Sequence, residues 1–122
     1  MRILVVDDDP MAGELTAAIL EEYDHETVLA ENGVEAAEML SSDTSFDLIL
    51  SDQNMPMISG IELFRELRSQ HVLLPFILLT GSDPEGARAE EPGLDGCLLK
   101  DSSLMEQLPD AIEACMAKYR NG

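Results

Sequence analysis

Two short apolar runs in this chain, Ile3-Leu-Val-Val6 and Leu48-Ile-Leu50, lead into aspartates: Asp7, Asp8 and Asp9 after the first, Asp52 after the second. Two more apolar runs each close on one polar group, Phe76-Ile-Leu-Leu79 on Thr80 and Cys97-Leu-Leu99 on Lys100. Carboxylates brought to one place repel each other unless some are protonated or a cation sits among them, and oxygen ligands suit Mg²⁺. A carboxylate nucleophile, a metal and a lysine to neutralise oxygens, and a hydroxyl donor are the parts of a phosphoryl-transfer site. Each residue alone has a plainer reading: Asp7 to Asp9 as a loop and helix cap, Thr80 as a strand-end hydroxyl, Lys100 as a solvated ammonium. The order of the whole set carries the argument.

Something must hold four strand ends at one edge. Apolar runs at residues 2–6, 26–30, 46–51, 75–80 and 96–100 read as strands, and the stretches between them have helical period, the pattern of an α/β fold with a parallel sheet. Asp9 caps the first helix with Pro10 at its first position, and Met11, Leu15, Ala18 and Ile19 form its buried stripe. Asn32 caps the second, with Glu35 at the third position and Val34, Ala37 and Leu40 inward; no period-2 strand follows, so Asn32-Gly33 is not a hairpin turn. Ser59-Gly-Ile-Glu62 is a capping box for the third helix, which turns Ile61, Phe64 and Leu67 inward. The fourth, from Ser82 to about Glu91, is short and ends at Pro92-Gly93. The fifth carries Leu108, Ile112, Cys115, Met116 and Tyr119; Pro109 predicts a turn over 102–107 and a regular helix starting near that proline. Doubly wound sheets allow the first and third strands to be neighbours, which puts Asp7, Asp8 and Asp52 in one crevice.

The 122 residues, 45% hydrophobic and 26% charged, are enough for one domain with a buried core. Seven basic residues against twenty-five acidic ones give a net charge of -18, and the basic ones form no run, which excludes direct nucleic-acid binding. No apolar run approaches the ~20 residues that cross a membrane, and no signal-peptide pattern precedes Asp7, so a cytoplasmic location is expected. Cys97 and Cys115 lack metal-ligand spacing and read as reduced core thiols.

With these residues in hand, the chain resembles the response-regulator receiver domains of two-component signalling, among them the stand-alone chemotaxis regulator. The resemblance runs through Ile3-Leu-Val-Val-Asp-Asp-Asp9, Ala30-Glu-Asn-Gly-Val-Glu-Ala36, Phe46 to Pro56 with Ser59-Gly60, Leu78-Leu-Thr-Gly81 and Leu98-Leu-Lys100. It implies a flavodoxin-like strand order 2-1-3-4-5, an order for which a receiver protein is itself a standard example. It implies a single receiver domain over 1–122 with no output domain, which is a signalling phospho-acceptor and not an enzyme beyond its own Mg²⁺-dependent phosphorylation and dephosphorylation. Asp52 would take a phosphoryl group from a histidine kinase or histidine phosphotransfer protein, and Asp7, Asp8, Asp52 and the backbone carbonyl of Asn54 would hold Mg²⁺. Lys100 and Thr80 would contact the phosphoryl oxygens, and side chains at Asn54 and Ser82 would set its lifetime. A shift of the helix 4, strand 5 and helix 5 face would signal to a downstream protein, the domain being a monomer or weak homodimer.

Three departures from the family pattern stand out. Cys97 occupies the switch position, where an aromatic is usual; Asp101 follows the lysine in place of proline, which predicts a trans bond; and the stretch from Thr80 to Lys100 is short. Two other functions remain open at this point. One is a degenerate receiver that binds proteins without phosphotransfer. The other is a phosphatase of haloacid-dehalogenase type with Asp7 as nucleophile, to which Asp7-x-Asp9 is similar.

Overall fold

In the computed structural model, residues 1–121 are described, with side chains through Lys118. Five strands, β1 (Arg2–Val6), β2 (Glu26–Ala30), β3 (Leu48–Asp52), β4 (Phe76–Thr80) and β5 (Gly96–Leu99), alternate with five helices. All neighbouring strands are parallel, in the order β2-β1-β3-β4-β5. The expected doubly wound α/β architecture is therefore present. The central strands β1, β3 and β4 are buried on both faces, which is why they read as continuous apolar runs, while the edge strands β2 and β5 are only partly buried. Leu4, Val6, Ile49, Phe76 and Leu78 pack on one face; Ile3, Val5, Leu48, Leu50, Ile77 and Leu79 pack on the other.

The helices are α1 (Pro10–Glu22), α2 (Gly33–Ser42), α3 (Gly60–Ser69), α4 (Pro84–Glu90) and α5 (Leu104–Asn121). Three caps stand where the sequence placed them. Asp9 accepts from Met11 N, Asn32 accepts from Glu35 N, and Ser59 with Glu62 forms the full capping box. Ile61, Phe64 and Leu67 point inward on α3, as expected. The short α4 contributes no fully buried residue and is capped by Asp83.

The stripe expected on α1 is corrected. Met11 and Leu15 are exposed, as is Ala18, and the buried face is Gly13, Thr16, Ala17 and Leu20 with Ile19. This face lies against the crevice edge: a Cβ on Gly13 would stand in ordinary contact with the Cβ of Asp7 at 3.6 Å. A similar rotation on α2 buries Gly33, Ala36 and Leu40 and leaves Val34 exposed.

The start of α5 is also corrected, since the helix begins at Leu104 and contains Pro109. Pro109 removes one backbone hydrogen bond and crowds the preceding turn, at a cost of roughly 3 kcal/mol. Burying Leu104 and Leu108 against Ile112 and Cys115 offsets this, at about 1.5 to 3 kcal/mol for each leucine side chain. The turn before it is held by Asp101, whose carboxylate accepts from Ser103 N and whose carbonyl accepts from Leu104 N. Tyr119 lies outside the described side chains. Both cysteines are free thiols, Cys115 buried and Cys97 half-buried, and every described peptide bond, including that before Asp101, is trans.

Candidate functional site

The crevice forms at the carboxyl edge of β1 and β3, where the sheet's winding reverses and open α/β folds take their ligands. Asp7 follows β1 and its N–H donates to Ala30 O at 3.0 Å, which fixes the edge against β2. Its side chain is almost fully buried; one oxygen accepts from Asp9 N at 2.9 Å and the other from Lys100 Nζ at 2.7 Å. Asp8 is exposed beside it. Asp52 ends β3 opposite Leu79 and is 7% exposed. Each of Asp7, Asp8 and Asp52 offers an oxygen within 4.8 Å of the others, so the sequence-predicted trio is brought together.

Burial and the nearby charge of Asp7 push the Asp52 carboxyl above its usual range, against the pull of Lys100 and a hydrogen bond from Asn54 N. Lys100 follows β5, its own N–H donating to Thr80 O at 2.7 Å, and its ammonium lies 3.5 Å from the Asp52 carboxylate. Burial alone would lower the lysine pKa; the bond to Asp7 and the charges of Asp52 and Asp7 outweigh it and raise it. The lysine is thus a fixed cation between two carboxylates. Three hard carboxylate oxygens in a partly solvated crevice fit Mg²⁺, and the donor set holds no sulfur or imidazole that would favour a softer metal.

Thr80 ends β4 with its hydroxyl buried, accepting from Ser82 N at 3.3 Å and 3.5 Å from the Ser82 hydroxyl. Asn54 is exposed on the loop after Asp52. Cys97 pairs in register with Leu78 and packs against the core face shared with Ala87 of α4. No aromatic ring stands at position 97.

The structure gives Gln53 and Gly60 a positioning role that their sequence context does not reveal. The Gln53 carbonyl accepts from Gly60 N at 3.1 Å and its side-chain oxygen accepts from Ile61 N at 2.9 Å, so α3 is fastened to the residue beside Asp52. Gly60 permits that approach: a Cβ there would stand 2.6 Å from the Asp52 carbonyl oxygen and 2.5 Å from Leu78 Cδ1. The leucine tip can move, but the backbone oxygen cannot. Gly60→Ala is therefore expected to lower stability by about 1 to 3 kcal/mol and to weaken Mg²⁺ binding, both readable from thermal melts with and without the cation. Unchanged melting would show that the loop yields freely. The only signal in the sequence was the glycine directly after the Ser59 cap.

Over residues 3–113 the chain matches the response regulator receiver domain family. It is 40% identical over 122 residues to response regulator MprA of Mycobacterium avium, covering 98% of this chain and 50% of that protein. It is 36% identical over 121 residues to sensor histidine kinase RcsC of Salmonella typhi, covering 98% of this chain and 12% of the kinase. The chain thus spans half or less of the length of these curated relatives. The crystal structure of response regulator TrrA from Thermotoga maritima, solved in complex with Mg²⁺-BeF, superposes with a TM-score of 0.82 at 34% identity, covering 93% of this chain and 97% of that one. Fold, strand-end residues and sequence agree, and the chain belongs to the response regulator receiver domain family.

Proposed function

We propose that residues 1–122 act as a single phospho-accepting receiver domain in which Asp52 is the acceptor. The observation that carries this reading is the pairing of Lys100 with both Asp7 and Asp52 in the crevice that also gathers Asp8. The donor is a histidine kinase or histidine phosphotransfer protein. An Asp52 carboxylate oxygen bonds to phosphorus as the N–P bond of the donor breaks; the phosphohistidine ring, protonated at its other nitrogen, takes the bonding electrons and leaves as neutral imidazole, with an acyl phosphate on Asp52. Lys100 and the Asn54 N–H hold the carboxylate ionised and aimed, and the ammonium then faces the transferred oxygens. Asp7, Asp8, Asp52 and the Asn54 carbonyl would hold Mg²⁺, which supplies positive charge where phosphoryl oxygens gather.

Phosphorylation draws the Thr80 hydroxyl away from Ser82, and side chains at Asn54 and Ser82 set how long the acyl phosphate lasts. The shift reaches the α4, β5 and α5 face through aliphatic packing around Cys97, without an aromatic rotor. The protein works in the cytoplasm, as a monomer or weak homodimer, through contact with a downstream protein and not with nucleic acid. Among the described residues no helix is long and apolar enough to cross a membrane.

A small phosphodonor such as phosphoramidate tests the reading. Mg²⁺ should allow stoichiometric phosphorylation on a phosphate-affinity gel, and chelation should reduce the rate at least about a hundredfold. Equal incorporation in chelator would refute it. A degenerate, phosphorylation-silent receiver is disfavoured because every chemical position is filled. The phosphatase reading is disfavoured because Asp7 is occupied by Lys100 and Asp9 N.

A further inference from the structure

Phosphoryl chemistry leaves the surface between α2 and α3 without a role. An open groove of about 820 Å³ lies there, lined by none of the crevice residues. Its lining combines apolar with acidic groups. Val34 is 43% exposed, and Ala37 and Ile58 are half-buried beside it. Glu38 comes from α2, and Glu62 and Glu66 from α3. Arg65 is the one cation in this lining among the described residues, and its guanidinium is engaged by the Glu91 carboxylate at 2.8 Å and the Glu90 carbonyl at 3.2 Å. The groove therefore presents an apolar strip between negative charges.

Its dimensions and charge select the occupant. Each flanking helix has ten residues, about 15 Å at 1.5 Å per residue, which matches about three turns of a third helix. Apolar anchors at helical spacing fill such a groove, and basic residues beside them answer the glutamates. A second copy of this chain, a nucleic acid or an anionic lipid surface would each bring negative charge to a protein of net charge -18. Ile58 packs against the start of α2. It lies on the loop leaving Asp52 and fills the space where a Cβ on Gly33 would stand 2.5 Å from its Cγ1.

We propose that the α2–α3 groove docks a cationic amphipathic helix of a partner protein, with its apolar face on Val34, Ala37 and Ile58 and its Lys or Arg residues against Glu38 and Glu66. This surface is separate from the phosphoryl site and does not depend on it.

The test uses the full chain with labelled methyl groups and a synthetic helical peptide of about 14 residues, leucines on one face and lysines beside them. A scrambled peptide of equal composition is the control, at about 0.15 M salt to screen loose attraction. Saturable shifts should centre on the Val34, Ala37 and Ile58 methyls, with the scrambled peptide weaker by at least about tenfold. Val34→Ser and the double variant Glu38→Lys/Glu66→Lys should each weaken binding by about tenfold while melting and phosphorylation stay unchanged. Equal binding of the scrambled peptide, shifts centred elsewhere, or unchanged affinity in both variants would overturn the proposal. Because the variants leave Asp52 untouched, such a failure would be distinct from a failure of phosphorylation.

Discussion

Asp52→Asn is expected to reduce phosphoryl incorporation from a small donor by at least about a thousandfold, because a neutral amide cannot supply the attacking oxyanion. The same change should leave the fold intact and, without divalent cation, raise its stability at neutral pH. Asp52 is buried beside Asp7 and its pKa is raised. Stability associated with its protonated form is complete below the unfolded carboxylate pKa and is lost as pH rises through the higher folded value. The amide has no proton to lose, so the stability advantage of the variant should open across that acidic window and persist above it. Melting curves in chelator from acid to neutral pH would show it. A variant less stable than the parent at neutral pH would mean that the Lys100 pairing outweighs burial and repulsion.

Lys100→Ala should have the second largest effect. Its ammonium sits 2.7 Å from Asp7 and 3.5 Å from Asp52, and among the described residues no other cation lies within ion-pair distance of either carboxylate. Removing one preorganised charge from a phosphoryl-transfer site costs about a hundredfold or more in rate. The carboxylates left behind should lower stability by about 1 to 3 kcal/mol in chelator, less than for a fully buried pair because the ammonium is partly solvated. Mg²⁺ should restore more stability to this variant than to the parent, since lysine no longer competes for Asp7. Parallel melts with and without Mg²⁺, together with phosphorylation rates, measure both effects. Equal Mg²⁺ stabilisation of the two proteins would show that the lysine and the metal do not share these oxygens.

The strand ends were legible in the sequence because β1, β3 and β4, buried on both faces, and the partly buried β5 read as apolar runs, so a polar residue closing each run marks the carboxyl edge. Caps at Asp9, Asn32 and Ser59 were legible because capping is a local hydrogen bond between neighbours in the chain. Helix orientation was not. On α1, Gly13, Thr16, Ala17 and Leu20 repeat with the same period as Met11, Leu15 and Ala18, and hydropathy favours the wrong set. Tertiary packing decides between the two sets, and the buried one is the set whose Gly13 lies against Asp7 and Leu29. Pro109 looks like a helix start in sequence because its cost is local, whereas the burial of Leu104 and Leu108 that offsets it is tertiary. The fastening role of Gln53 and Gly60 is not legible in sequence for a related reason: it exists only once α3 is folded back on β3. The aspartates and the lysine were recognisable as residue types, but the position of Lys100 between two carboxylates is set by the register of β4 with β5.

Borohydride trapping shows where the phosphoryl group resides, and Asp52 is the expected position. Reduction of an aspartyl phosphate converts that residue to homoserine, which mass spectrometry locates in the peptide. After phosphorylation with Mg²⁺, homoserine is predicted at position 52 and nowhere else. Homoserine at position 7, or phosphorylated protein with no homoserine at position 52, would contradict the account.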